Sequence, residues 1–155
     1  MRDTRQMRIS LAADELTGIA VILSVELGER GHQVILHGAL TDDESGDWAE
    51  ASAAAAADVV EGRADQAIVC CWTGTGAAIA ANKLRGVRAA LCADAVTAAG
   101  ARRWNDANVL ALSLRATADA ELAEILDAWF ATAPSEDEAD RASIARLAEL
   151  EYDAS

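Results

Sequence analysis

Short apolar runs of five or six residues alternate along this chain with longer, alanine-rich stretches of helical character. Parallel strands need long crossover connections, which are usually helices, so this alternation is typical of a parallel sheet. It predicts an α/β fold: a doubly wound, five-stranded parallel sheet in a Rossmann-like three-layer sandwich. Strands are predicted at 8–13, 32–36, 67–71, 87–92 and 109–113, and helices at 16–30, 47–61, 77–84, 94–103, 119–131 and 136–152.

The only proline, Pro134, lies between this alternating region and one more helical stretch. We therefore expect a Rossmann-like domain over residues 1–133 and an extra C-terminal helix within residues 134–155. The apolar side chains of that stretch, Ile144, Leu147 and Leu150, form only a narrow stripe. An isolated helix of this kind gains little stability by itself, so we expect it to dock on a partner subunit.

Charge and composition exclude several classes of function. The net charge is −13, which disfavours nucleic acid as a partner. No apolar run is long enough to cross a membrane, and residues 1–6 are polar with no signal-peptide core behind them, so we expect a cytoplasmic protein with no membrane partner. The three cysteines, an odd number with two adjacent, indicate reduced thiols, and no metal-ligand spacing occurs. No metal or cofactor is expected.

In a doubly wound sheet, ligands bind at the carboxyl ends of the strands, near the point where the strand order reverses. Three segments are predicted to meet there: residues 14–15, 71–76 and 93–94. The second contains Thr73-Gly74-Thr75-Gly76, a glycine-rich turn that leads into a helix. Backbone N–H groups crowd together in such a turn, where they can hold a phosphate or the oxyanion of an enediolate.

Three blocks, at residues 73–83, 87–92 and 105–112, stand in a distinctive order and spacing, and Gly31-His32-Gln33-Val34-Ile35 precedes them. Together they resemble the family of ribose-5-phosphate isomerase B and galactose-6-phosphate isomerase, from about Arg8 to the last helix. The resemblance implies an aldose–ketose isomerase that moves a proton between neighbouring carbons without a cofactor. It also implies a sugar or sugar phosphate as substrate. The C-terminal helix indicates a homodimer, and the two related chains of galactose-6-phosphate isomerase make a higher or heteromeric assembly the alternative.

The same resemblance assigns roles to individual residues. Cys71 falls on the position of the general base, and Thr73 stands beside it as a second catalytic residue. A thiol at a helix N-terminus ionises more readily than a free one, so this role is physically sensible. The alternative is that Cys71 is a buried strand-end residue packed as a small hydrophobe. The residues expected to bind substrate are Asp14, Glu15, Trp72, Gly74, Thr75, Gly76, Trp104 and Asn105.

For two aspartates and the two other cysteines, a structural role is an alternative to a role in the site. Asp14 matches an aspartate that binds sugar hydroxyls, but a loop or capping carboxylate is the alternative. Asp47 falls near another family aspartate, and helix capping explains it equally well. Cys70 should face the side of the sheet opposite to Cys71, since strand side chains alternate, and it is interpreted as core, as is Cys92.

The chain departs from the family pattern at four places. Glu15 replaces a histidine, Trp72 replaces a glycine, and Trp104 replaces the histidine that assists ring opening. The phosphate-binding arginines of the last helix fall near Ala139, Ala142 and Ser143, with Arg141 and Arg146 close by but out of register.

These departures leave two hypotheses. One is an active isomerase with an altered substrate, using Cys71 as base with Asp14 or Glu15 assisting. The other is a catalytically degraded subunit, or a ligand-binding module, that works with an intact relative. Trp104 cannot relay a proton, because its indole N–H only donates hydrogen bonds.

Overall fold

The computed structural model describes residues 6–153. Strands and helices alternate from Arg8 onwards, as the sequence pattern predicts. The strands are β1 (Arg8–Ala13), β2 (Gln33–Gly38), β3 (Gln66–Cys71), β4 (Ala89–Leu91) and β5 (Val109–Ser113). The α-helices are α1 (Leu23–Glu29), α2 (Trp48–Val60), α3 (Thr75–Ala81), α4 (Ala95–Asn105), α5 (Asp119–Ala131) and α6 (Glu138–Asp153).

All five strands are parallel and pair in the order β2-β1-β3-β5-β4. The chain therefore moves outwards from β1 to β2, then crosses back to place β3 on the other side of β1. This reversal puts the switch point between β1 and β3, where the crevice for a ligand is expected. The predicted doubly wound, five-stranded fold is confirmed.

Helices cover both faces of the sheet and enclose two separate apolar layers. On one face, large side chains from α1 and α5, with alanines from α4, pack on the sheet around the buried Trp129. On the other face, the layer under α2 and α3 consists mostly of alanine and valine. The small side chains bring these two helices close to the strands, and a Cβ on Gly38 would lie 2.7 Å from the Cβ of Ala51.

The first predicted helix, at 16–30, is partly wrong. A 3₁₀ turn spans Gly18–Val21, and the α-helix begins only at Leu23. Gly18 has φ +58°, outside the helical region, and a Cβ there would lie 3.0 Å from the carbonyl oxygen of Leu114. The tight approach to the end of β5 therefore interrupts the helix that the apolar pattern suggests.

The outer edge of β4 is closed by a side chain. The Asn82 amide donates to the Ala89 carbonyl (3.0 Å), and its oxygen accepts from the Ala89 N–H (2.8 Å). Asn82 thus makes the two hydrogen bonds that a neighbouring strand would make at this position, and it ties the end of α3 to β4.

The last helix, α6, packs against α4 of its own chain. Its far end is held by the Glu151 carboxylate, which accepts from the Gly86 N–H at 2.9 and 3.0 Å. Leu147 and Leu150 remain exposed beside a cavity of about 530 Å³ between α6 and β4. Within residues 6–153, no helix is long and apolar enough to span a bilayer.

A buried polar network links β1, β2 and α2. The Asp58 carboxylate accepts from Ser10 Oγ (2.8 Å), His37 Nε2 (2.7 Å) and Arg63 Nε (2.7 Å). Burial alone would raise the pKa of Asp58, but these three donors hold it below its ordinary value. The network fixes α2 against the two strands by charge as well as by packing.

The turn between β3 and α3 depends on glycine. Gly74 has φ +79°, and a Cβ there would lie 2.5 Å from Leu91 Cδ1 and 2.9 Å from the backbone of Leu112. Gly76 lies under the ring of Trp48, since its Cβ would come within 2.9 Å of Cε3. The turn is therefore wedged between β4, β5 and α2, which fixes the start of α3.

We predict that Asp58→Asn lowers the free energy of unfolding by about 3 kcal/mol, because it leaves His37 and Arg63 without their buried carboxylate. Asp65→Asn is the matched control, since Asp65 pairs with Arg8 at the surface and should cost below about 1 kcal/mol. Urea denaturation at pH 7 measures both. The difference in free energy of unfolding between the wild-type chain and Asp58→Asn should shrink as the pH falls below about 3.9. It should vanish once the pH has passed through the lowered pKa of Asp58. Equal losses in the two variants would contradict the role given to the network.

We predict that Gly74→Ala destabilises the chain more than Gly86→Ala. Both glycines have positive φ, +79° and +87°, but a Cβ at Gly86 meets nothing within 4 Å. Gly86→Ala therefore measures the conformational cost alone, about 1 kcal/mol, whereas Gly74→Ala adds a clash with backbone. Thermal melting of both variants gives the difference. A Gly74→Ala variant as stable as Gly86→Ala would show that the turn yields easily.

Candidate active site

The carboxyl ends of β1, β3 and β5 lie side by side. Ala13 pairs with Cys70 and Cys71 pairs with Ser113, so Asp14, Cys71 and Ser113 follow one another across the sheet. This edge adjoins the switch point between β1 and β3. Two of the three predicted segments, residues 14–15 and 71–76, are therefore brought together at neighbouring strands.

Cys71 faces the α2–α3 side of the sheet and keeps only 5% of its surface exposed. Its Sγ accepts a hydrogen bond from the Ala77 N–H, in the first turn of α3, at 3.4 Å. A helix-start amide favours negative charge on sulfur over a neutral thiol. The glycine turn therefore holds Cys71 Sγ at the point where the dipole of α3 begins.

Cys70 lies on the opposite side of the sheet, in the α1–α4–α5 layer, as the alternation of strand side chains predicts. Burial raises the pKa of Cys70 to about 12. Cys92 is buried in the same layer, and burial raises its pKa to about 11. All three cysteines are free thiols. The geometry separates Cys71 from two cysteines that stay protonated at neutral pH.

Asp14 follows β1 directly. Its Oδ1 is buried and has no hydrogen-bond partner within the described part of the chain. Burial raises the pKa of Asp14 above its ordinary value, and the neighbouring Glu15 adds to the shift. Gly46 packs on the Asp14 backbone, since a Cβ there would lie 3.0 Å from its carbonyl oxygen. A raised pKa lets Asp14 hold a proton closer to neutral pH than a surface aspartate does, whereas Glu15 itself is exposed.

Hydroxyl groups and an indole line the turn after β3. The Thr73 and Thr75 hydroxyls lie 2.8 Å apart and are exposed. Trp72 is 53% exposed, while its carbonyl accepts from Ser113 Oγ at 2.9 Å and from the Arg115 N–H at 3.0 Å. The Trp72 backbone is thus fixed to the end of β5, and its large side chain remains accessible to a ligand or a neighbouring molecule.

Two residues at this edge escaped the sequence interpretation. Arg115, exposed just past β5, forms no ion pair with any described residue. Its position directly after a strand end is the sequence feature that indicates it, whereas the arginines considered as anion ligands were Arg102, Arg103, Arg141 and Arg146. Trp48 opens α2 and lies over Gly76. The sequence feature that indicates Trp48 is its position just after Asp47. The Asp47 carboxylate caps α2 by accepting from the Glu50 N–H at 2.8 Å.

Trp104 and Asn105 lie elsewhere in the chain. They form the last turn of α4, which starts after β4 at Asp94 and runs back towards the first residue of β5. Asn105 lines the cavity beside Arg88, just before β4, and Trp104 packs on Gly100 with 54% of its surface exposed. Both therefore lie at the amino edge of the sheet, opposite to Cys71. They precede Val109, the first residue of β5, by five and four positions, and this place in the chain puts them at that edge.

The carboxyl edge thus combines a thiol held at a helix start, a carboxyl group with an unpartnered oxygen, two hydroxyls and an arginine. These groups suit the transfer of a proton at carbon and the stabilisation of a developing oxyanion. Across residues 6–153, no group of three or more His, Cys, Asp or Glu side chains is placed to hold a metal ion.

Comparison with known proteins identifies a family. The model of the ribose/galactose isomerase family matches residues 9–147. Ribose-5-phosphate isomerase B of Escherichia coli is 40% identical over 104 residues, covering 66% of this chain and 68% of the relative. Subunit LacB of a galactose-6-phosphate isomerase from Clostridium acetobutylicum is 36% identical over 124 residues, covering 79% and 71%. A 4-deoxy-4-sulfo-D-erythrose isomerase from a Clostridium species is 33% identical over 107 residues, covering 68% and 67%.

A solved structure agrees along almost the whole chain. Ribose-5-phosphate isomerase B of Clostridium thermocellum superposes with a TM-score of 0.85 at 30% identity, and covers 97% of this chain and 100% of its own. The relatives are sugar isomerases whose substrates differ from one member to another. The family resemblance of the sequence blocks is thereby confirmed, and the chain belongs to the ribose/galactose isomerase family.

Proposed function

We propose that this protein is an aldose–ketose isomerase that acts on a sugar or sugar phosphate through an enediolate, with Cys71 as the general base. The observation that carries the proposal is the position of Cys71 Sγ. It accepts from the Ala77 N–H at 3.4 Å at the carboxyl edge of the sheet, one strand away from the position after β1 that Asp14 occupies. A base and a proton carrier at neighbouring strand ends are what a proton shift between adjacent carbons requires.

The reaction follows from these groups. The Cys71 thiolate takes the proton from C2 of the open-chain aldose, and the electron pair forms the C1=C2 bond while charge develops on O1. Hydroxyls of Thr73 and Thr75, with the backbone N–H groups of the turn, donate to that oxygen. Asp14 transfers the O2 proton to O1, through its unpartnered oxygen. The Cys71 thiol then returns its proton to C1, and the ketose carbonyl forms at C2.

Arg115 is the proposed ligand for an anionic group on the substrate. It is exposed at the same edge as Cys71, forms no ion pair with a described residue, and its backbone is fixed to Trp72. A guanidinium binds phosphate through two parallel hydrogen bonds, which partly offsets the unfavourable net charge of −13. Arg115 therefore supports a phosphorylated or similarly anionic substrate despite the altered arginine positions of α6.

A degraded subunit is the second candidate. Glu15, Trp72 and Trp104 stand where the family resemblance expects a histidine, a glycine and a histidine. One relative is itself named as a subunit of a galactose-6-phosphate isomerase. In this alternative the chain keeps the fold and works beside an intact relative, and the purified protein alone shows no exchange of a carbon-bound proton.

We also propose a homodimer in which each site is built from two chains. Trp104 and Asn105, assigned to the sugar pocket by resemblance, lie at the edge of the sheet opposite to Cys71. A complete pocket then requires these residues from a partner subunit. Leu147 and Leu150 on α6 are exposed and available to contact that subunit, although α6 also packs on its own chain. A cytoplasmic location is proposed as well, since the cysteines are free.

We predict that Cys71→Ala reduces exchange of the C2 proton with deuterium by about 10²–10⁴-fold, the usual contribution of a general base. Cys92→Ala is the matched control, since Cys92 is a buried cysteine on the other side of the sheet. Proton NMR in D₂O across a panel of aldose phosphates measures both. Full exchange by the Cys71→Ala variant would move the base elsewhere, with Glu15 as the first candidate.

Thiol reactivity gives a readout that does not need a substrate. Iodoacetamide should modify Cys71 faster than Cys70 or Cys92, because burial raises the pKa of those two thiols to about 12 and about 11. Peptide mass spectrometry over a time course ranks the three sites. Faster labelling of Cys70 would contradict the two-sided arrangement of β3.

We predict that two inactive variants complement each other in a mixed dimer. A heterodimer of Cys71→Ala and Asn105→Ala chains, purified through two different tags, contains one site with both residues intact. It should recover about half of the wild-type activity per dimer, because a symmetric dimer has two equivalent sites. Each homodimer alone serves as the inactive control. A heterodimer as inactive as its parents would mean that the site is not shared between subunits.

A further inference from the structure

An isomerase that accepts cyclic sugars has to open the ring before it can remove the C2 proton. In ring opening the hemiacetal O1–H loses its proton, the bond between C1 and the ring oxygen breaks, and the ring oxygen gains a proton. Near neutral pH the side chain best suited to this exchange is imidazole, since its ordinary pKa lies near the working pH. The location of every histidine therefore bears on which substrates the site can use.

The chain has two histidines, His32 and His37. His32 precedes β2, at the amino edge of the sheet, opposite to the edge where Cys71 lies. Its Nδ1 accepts from the Met7 N–H at 3.2 Å, and its ring packs on Phe130 with 4.4 Å between centroids. His32 is thus part of the packing between β2 and α5, at the end of the strands opposite to Cys71. It also lies at the other side of the sheet from β4 and β5, where Trp104 and Asn105 are found.

His37 lies near the carboxyl end of β2, but both of its ring nitrogens are engaged. Nε2 lies 2.7 Å from the Asp58 carboxylate and Nδ1 lies 3.0 Å from that of Glu44. Burial opposes its charged form, yet these two carboxylates raise the pKa of His37 above its ordinary value. Both ring nitrogens of His37 are therefore occupied inside the network that fixes α2, and a second copy of the chain would contribute only the same two histidines.

The other groups at the site do not replace an imidazole at the ring oxygen. Cys71 is needed at C2, and Asp14 is needed to move a proton between O2 and O1. The Glu15 side chain is exposed, and no hydrogen bond within residues 6–153 fixes it as a proton donor. Trp104, whether it reaches the site from a partner or not, has an indole N–H that donates a hydrogen bond without releasing the proton.

Given the isomerase proposed above, on which this step rests, we infer that the substrate is an aldose that cannot close a five- or six-membered ring. The clearest class is a four-carbon aldose with an anionic group at C4, because esterification or replacement of O4 removes the only hydroxyl able to form a furanose. Arg115 would hold the anionic end. Such a substrate reaches Cys71 already in the open-chain form, and the site needs no ring-opening acid.

Three probes test this with the full-length protein. Erythrose 4-phosphate has four carbons and no ring, and ribose 5-phosphate closes to a furanose. 4-Deoxyribose 5-phosphate has five carbons but lacks the ring-forming hydroxyl, so it separates ring closure from chain length. We expect kcat/KM for both acyclic probes to exceed that for ribose 5-phosphate by about 100-fold or more, the usual worth of acid–base catalysis. The Escherichia coli relative, named as a ribose-5-phosphate isomerase, is the positive control.

The dependence of the conversion rate on enzyme concentration separates the two kinds of substrate more sharply. With ribose 5-phosphate, the conversion rate should reach a plateau as enzyme is added, set by spontaneous ring opening, whereas erythrose 4-phosphate conversion should rise in proportion to enzyme. Proportional conversion of ribose 5-phosphate at the control's rate would overturn the inference and leave the isomerase proposal standing. Absence of C2 exchange with all three probes would overturn the isomerase proposal and this inference with it.

Discussion

The close approach of α2 and α3 to the sheet is the constraint on which the site depends. It is possible only because the layer between them is built almost entirely from alanine and valine. A larger side chain on Ala51 or Ala77 would push its helix away from the strands. The Ala77 N–H would then no longer reach Cys71 Sγ, and Trp48 would lift from Gly76. The alanine-rich composition of the two helices is thus tied to the placement of the thiol.

The fold could be predicted from the sequence because its signals are local. Alternating apolar runs identify five strands, and the period of two along β3 places Cys70 and Cys71 on opposite faces. The break at Gly18 was not predicted, since it arises from contact with Leu114, a residue nearly one hundred positions away. A tertiary contact of that kind leaves no mark in the local pattern.

The site was predictable only in part, for a related reason. Asp14 and Cys71 come from neighbouring strand ends, so topology alone brings them together. Trp104 and Asn105 were assigned to the pocket by family resemblance, and since they come just before β5 they lie at the amino edge of their own chain. Arg115 was overlooked for the opposite reason: it lies at the expected edge but belongs to none of the motif blocks.

The side chain of Asn82 has a consequence for how copies of this protein meet. Parallel sheets in related chains can in principle extend from one molecule into the next through an open edge strand. At β4 the hydrogen-bonding positions of Ala89 are already taken by the Asn82 amide, which interrupts the ladder that an incoming strand would form there. Association on this side then has to proceed through the helix surfaces, where geometry is set by side-chain shape. One amide group thereby protects the molecule from open-ended polymerisation.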